Sequence, residues 1–272
     1  MARASIAHFI AINVLQLSLL YNSGLFAVDL SYDGCMKDTT NSSYSVGGWC
    51  FLLYRDSSWG TIKPTQDDAQ TLCGAKGNLA VGVTTKMLNK FKTNLAGIPW
   101  RWIALIRNSN STDRKLGWTW KTRLSNGNYA TFPAIMSNIP WRTNEPANDF
   151  GNENSAGVWY NEGVCDVQYN WNNYSPLNIF GVICQFAPLQ WKYLQRGHGL
   201  FQISAYRIAQ TTATKTACFH QCHRSPFCIS MAFNPTINDC QTYAVSPEDP
   251  RFAGNVTANS AYDWYIRDGM EY

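Results

Sequence analysis

Nine cysteines, at positions 35, 50, 73, 165, 184, 218, 222, 228 and 240, follow an apolar leader and set the tightest limit on how this chain can fold. The leader, MARASIAHFIAINVLQLSLLYNSGLFA, begins with Arg3 near its start and runs apolar from Phe9 to Leu20. It then closes on small or neutral residues. This pattern predicts a secretory signal peptide over residues 1–27, cut near Ala27. Asn13 and Gln16 interrupt the apolar run, which falls short of the roughly 20 residues that span a bilayer. No later segment has the length or apolarity of a membrane span, and no hydrophobic tail suggests a lipid anchor. The expectation is a secreted, extracellular product without membrane insertion, whose thiols are oxidised. An odd cysteine count leaves at least one thiol free or paired between molecules.

The remaining composition excludes several classes. With 45% hydrophobic and 15% charged residues, the chain has the makings of a packed core and not of a disordered segment. The net charge of +4 is spread thinly, with no Lys/Arg run longer than two residues, so nucleic-acid binding lacks its usual electrostatic footprint. A length of 272 residues suits one large domain or two of ordinary size. Asn41 (NSS), Asn110 (NST), Asn173 (NYS) and Asn255 (NVT) each open an N-glycosylation sequon.

Punctuation divides the chain near Pro188. Before it, Trp49–Tyr54, Trp102–Ile106 and Gly181–Phe186 read as strands. The segment from Pro64 to Cys73 reads as a helix capped by Thr65, with acids in its first turn. A second helix is predicted over Thr84–Leu95, with Met87, Leu88, Phe91 and Leu95 at helical spacing. From Trp100 to Ile179 the pattern predicts long loops over a small sheet. Beyond Pro188 the cysteines cluster in ACFHQCHRSPFCISMAFNPTINDC. Cys218 and Cys222 share one face if Thr216–Arg224 is helical. Ile229–Phe233 and Ala261–Ile266 read as strands.

Several segments now occur in a telling order: Cys73-Gly-Ala-Lys-Gly-Asn-Leu-Ala80, Trp102-Ile-Ala-Leu105, Trp118-Thr-Trp120, Glu145-Pro146, Trp171-Asn-Asn173 and Val182-Ile-Cys184. Together they resemble the long form of the C-type lectin domain, across residues 31–187. The resemblance implies an α+β fold with two helices, small antiparallel sheets and a long loop region. It implies disulfides Cys35–Cys50 and Cys73–Cys184. The family's remaining bridge has Ser155 and Pro176 in place of its cysteines, so Cys165 is the candidate for the odd thiol.

Sugar-binding members of that family hold calcium with a Glu-Pro-Asn loop, a later Glu and a Trp-Asn-Asp motif, and the proline is normally cis. Calcium takes six to eight oxygens, with affinity set by carboxylate count and rigidity. Here Glu145, Pro146, Glu153 and Asn172 match, whereas Ala147 replaces an amide and Asn173 replaces a carboxylate. Asn148 and Asp149 are the neighbours that could substitute. The resemblance therefore implies a sugar site with a weakened, uncertain calcium requirement. If it works, the Glu-Pro pairing favours mannose- or glucose-type ligands.

The second cysteine set, Cys218-x₃-Cys222-x₅-Cys228-x₁₁-Cys240, resembles a PAN/apple module over residues 191–268. It implies a helix pinned to a small sheet by Cys218–Cys240 and Cys222–Cys228, without the bridge that joins the ends of full apple domains. Such modules bind proteins or carbohydrates. Zinc is the competing reading of Cys218, His220, Cys222 and His223. A helix, however, turns His220 away from the two cysteines, and export favours oxidised sulfur. His198, in Arg-Gly-His-Gly, reads as a loop residue. An enzyme needs a nucleophile with its base or a positioned carboxylate pair. No histidine is placed near Cys165, and the lectin pattern accounts for Glu145 and Glu153. The sequence thus predicts a non-enzymatic lectin that binds glycans or glycoproteins. The second expectation is an extracellular protein-interaction or matrix component built on the same two modules.

Overall fold

An unbroken apolar run calls for a strand covered on both faces, and Trp49–Tyr54 (β2) is buried along almost its whole length. In the computed structural model, residues 28–54, 65–95, 100–108, 111–123, 128–149, 151–160, 162–168, 180–225 and 227–270 are described. The leader, Asn110 and the Trp171–Asn173 motif lie outside them. β2 is flanked by Ser43–Val46 (β1) on one side and Phe180–Phe186 (β9) on the other. β9 also pairs antiparallel with Gly77–Leu79 (β3) and parallel with Trp100–Arg107 (β4). The sheet continues from β4 through Trp118–Arg123 (β5) to Tyr129–Pro133 (β6). A hairpin of Ser155–Trp159 (β7) and Gly163–Val167 (β8) branches from β4.

This is a larger sheet than the long-loop expectation for residues 100–179 allowed, and it holds a parallel pair. The reason lies in period-two burial: Trp118-Thr-Trp-Lys-Thr-Arg123 alternates buried and more open residues, the signature of a strand with one covered face. Asn- and Gly-rich turns between such short runs masked them.

Helices follow their caps. Thr65 and Asp68 form a reciprocal capping box at the start of Gln66–Leu72 (α2). Asp68 N–H donates to Thr65 Oγ1 at 3.1 Å, and Thr65 N–H to Asp68 Oδ2 at 3.0 Å. A short helix at Tyr32–Met36 (α1), capped by Ser31, has too few residues to show periodicity and was not foreseen. Thr85–Leu95 (α3) buries Met87, Leu88 and Phe91 against Phe51, Leu53, Ile103 and Ile183 of the sheet. The opposite face packs Leu52, Trp102, Ala104, Val182 and Phe186.

The C-terminal residues build a second, five-stranded antiparallel sheet. Its order is Tyr193–His198 (β10), Asp263–Arg267 (β16), Ser230–Asn234 (β13), Asp239–Tyr243 (β14), Arg207–Thr212 (β12). Leu200–Phe201 (β11) and Val256–Thr257 (β15) form a separate pair. Lys215–Arg224 (α4) is capped by Thr214 and buries Cys218 and Cys222. Four disulfides are present: Cys35–Cys50, Cys73–Cys184, Cys218–Cys240 and Cys222–Cys228. The last two occupy the sulfurs that a zinc site would need. Cys165 is a buried free thiol.

The two sheets meet at the β1–β2 turn. Gly47 N–H donates to Gly269 O at 2.8 Å. The guanidinium of Arg267 lies 4.4 Å from the Trp191 ring centroid and 5.1 Å from that of Trp49, and the two indoles are themselves 4.7 Å apart. Gly48 has φ +76°, and a Cβ there would come within 2.8 Å of the Trp191 ring. Arg267 is 4% exposed, so its cation–π contacts act largely out of water. Arg267→Ala is expected to destabilise the protein by about 2 kcal/mol or more. Chemical denaturation monitored by circular dichroism measures this. Arg267→Lys should recover only part of the loss, because an ammonium does not stack.

Candidate functional site

The β7–β8 hairpin pulls the Trp141–Asp149 loop onto the sheet. Arg142 N–H donates to Val164 O and Val164 N–H to Pro140 O, each at 2.9 Å. Gly163 permits this approach, since a Cβ there would stand 2.7 Å from Arg142 N. Trp141 packs edge-on against Trp118, with centroids 5.1 Å apart. Arg142 Nε also meets Glu162 Oε2 at 2.6 Å across the hairpin turn.

β8 reads Gly-Val-Cys-Asp-Val and is buried throughout. Its Asp166, 4% exposed, is a carboxylate that must find donors to compensate for lost water. It finds them in the loop. Asp166 Oδ1 accepts from Ala147 N–H and Oδ2 from Asn148 N–H, both at 2.8 Å. The Glu145–Pro146 peptide is cis, and Asn144 and Asn148 take the left-handed backbone region, at φ +71° and +53°. Asparagine adopts that region more readily than most residues. Glu145 Oε2 accepts from the same Ala147 N–H at 3.0 Å, which brings it up against Asp166. Asn148 Oδ1 accepts from Glu153 N–H at 3.2 Å, closing the loop across its base. Arg114 Nη1 donates to Ala147 O at 3.2 Å from a neighbouring loop. That loop is itself held by Arg107, whose guanidinium donates to Leu116 O, Ser111 O and Asp113 O.

Electrostatics follow from this crowding. Burial, then the hydrogen bond to and charge of Asp166, and then the charge of Glu153, push Glu145 up to about 8. The Ala147 N–H pulls the other way, by more than Glu153 pushes. Burial, with the charge of Glu145, pushes the Cys165 thiol up to about 12. It therefore stays a thiol at neutral pH and is no nucleophile.

Of the residues singled out in the sequence, the structure gathers Glu145, Pro146, Asn148 and Glu153 at one place, while Asp149 points into solvent. Asn172 and Asn173 lie outside the described residues. The sequence motifs do not include Asp166 or Arg114, although one acid in an otherwise apolar strand is a readable signal for Asp166. The described donors fit a calcium ion poorly: Asp166 and Asn148 direct side-chain oxygens to backbone N–H groups, and Ala147 offers no side-chain oxygen. Among the described residues no three of His, Cys, Asp and Glu are disposed to hold a metal.

Comparison with known proteins gives two results. Residues 194–266 match the family model of the PAN domain. The N-terminal half is similar to C-type lectin domains of solved structure. Human lithostathine is 16% identical, covering 54% of this chain and 98% of its own, with a TM-score of 0.35. The mouse scavenger receptor C-type lectin carbohydrate-recognition domain is 19% identical, covering 55% and 97%, with a TM-score of 0.36. The C-type lectin domain of murine dendritic cell inhibitory receptor 2, solved in complex with N-glycan, is 16% identical, covering 54% and 97%, with a TM-score of 0.35. No curated protein matches the chain.

Two measurements test the loop. Asp166→Ala removes the acceptor of two backbone bonds and should cost about 2 kcal/mol or more. Amide exchange should speed up at Ala147 and Asn148 and stay unchanged in the C-terminal sheet. Glu145 keeps its proton in the folded state up to about pH 8, whereas the ordinary value is 4.5. Its contribution to stability is therefore complete below pH 4.5 and declines as pH rises toward 8. Glu145→Gln stays neutral throughout, so melting temperatures measured across that window should fall for the wild type relative to the variant.

Proposed function

We propose that this is a secreted, non-enzymatic recognition protein that binds glycans through the Glu145–Asn154 loop without a calcium bridge. The observation that carries the reading is the pair of 2.8 Å bonds from Ala147 and Asn148 to Asp166. They give the loop a fixed shape from protein groups alone. Asp149, Asn152 and Asn154 are exposed on that loop. Amide and carboxylate groups of this kind, fixed by their backbone, can meet sugar hydroxyls with little ordering cost. The motif order of the N-terminal half and the PAN match at residues 194–266 support a binding role for both modules. The cysteine-rich second module acts as a further adhesive surface on the same molecule.

Glycan-array binding in calcium and in chelator, paired with calcium calorimetry, tests this. Binding that survives the chelator, with no heat of calcium association, is the expected result. The combined variant Asp149→Ala, Asn152→Ala should then weaken the array signal by about tenfold or more, a loss of roughly 1.4 kcal/mol. Loss of glycan binding in chelator would restore the metal-bridged mechanism. An array blank in both conditions would leave protein interaction as the role of the fold.

A further inference from the structure

β6 closes one side of the nine-stranded sheet, and among the described residues no strand pairs with its outer edge. One bond fixes the phase of its backbone. Ala134 N–H donates to Trp118 O at 3.0 Å, so the peptide groups of residues 132 and 130 turn toward β5. Those of Thr131 and Pro133 turn outward. Pro133 sits where its missing N–H costs the ladder nothing. Thr131 presents both an N–H and a C=O to the outside.

That edge does not face open solvent. It forms one wall of a groove of about 560 Å³, whose other wall comes from the second sheet and the end of α4: Arg207, Ile208, Gln221, Arg224 and Phe227. Phe132 and Phe227 make its floor, with ring centroids 5.7 Å apart. The strand nearest across the groove, β12, is blunted. Its ladder jumps from Arg207↔Tyr243 to Ala209↔Thr242, leaving Ile208 as a bulge. Bulges are a common way of spoiling an edge for further pairing. β6 carries no bulge in its pairing with β5. The groove is also one-signed, since Arg207 and Arg224 are exposed and no acidic residue lines it among the described residues.

An open, in-phase strand edge, an aromatic floor and two guanidinium groups together define a partner. We infer that this groove captures an extended polypeptide segment of mixed apolar and acidic residues by strand addition to β6. Main-chain bonds to Thr131 supply general affinity, apolar side chains rest on Phe227 and Ile208, and carboxylates meet Arg207 and Arg224. Five residues of β6 offer about 17 Å of edge. The site is separate from the Glu145–Asn154 loop and stands whether or not that loop binds sugar.

The test is fluorescence anisotropy of the whole oxidised protein with a labelled peptide of alternating valine and glutamate, about eight residues long, which matches the edge with a short overhang. Binding is expected, with loss at raised salt. N-methylation of alternate peptide nitrogens should weaken it about tenfold or more, and lysine in place of glutamate should abolish it. Thr131→Pro deletes one outward N–H and leaves the bonds to β5, so a loss of about three- to tenfold is expected. Arg224→Glu, an exposed change that spares the fold, should weaken binding at least as much. The inference is overturned if the valine–glutamate peptide does not bind. It is equally overturned if the N-methylated or lysine peptide binds as tightly, or if Arg224→Glu with an unchanged melting temperature has no effect.

Discussion

The N-terminal sheet depends on one strand. β9 is bonded to β2, β3 and β4 at once. Its Cys184 is tied to Cys73 at the end of α2, over a sequence separation of 111 residues. Without β9, the β1–β2 hairpin and the β4–β8 assembly would be two unconnected fragments, each with one apolar face in water. Yet β9 comes last in this half of the chain. The cost of closing so long a loop grows slowly with its length, and burial of Val182, Ile183 and Phe186 offsets it. A disulfide at the same strand then removes the open alternatives from the unfolded ensemble.

The loop opposite β8 takes its shape from one buried carboxylate. A buried carboxylate needs compensation, and either a cation or several N–H donors can provide it. Here Asp166 takes donors from the loop, and Glu145 beside it shares one of them, while burial and the neighbouring carboxylates raise its pKa. What remains on the outside is a set of short polar side chains on a fixed backbone.

Much of the architecture was legible because local signals agreed with the global outcome. Thr65 and the acids after it announce a helix start, Met87, Leu88 and Phe91 share a helical stripe, and Trp49–Tyr54 reads as a strand. The middle of the chain was harder. β5 and β6 are short and alternating, and the β7–β8 hairpin is placed by a pairing far along the chain, Trp100 with Trp159. The site was half legible for the same reason. Glu145, Pro146 and Glu153 stand out through the resemblance of one loop to the lectin motif. Asp166 belongs to the site only because the β7–β8 hairpin folds it back under Ala147, which no local pattern states. The open edge of β6 is likewise a property of topology and has no sequence signature.

The junction at Gly47, Trp49, Trp191 and Arg267 has a consequence for how such a molecule can change over time. Its two halves look like modules that could be shuffled separately. Trp191 and Arg267, however, belong to the C-terminal half, and the hairpin that receives them belongs to the N-terminal one. Exchange either half for a relative and a guanidinium, or an indole, is left without its counterpart at the seam. A working transplant into another protein therefore has to carry both halves together.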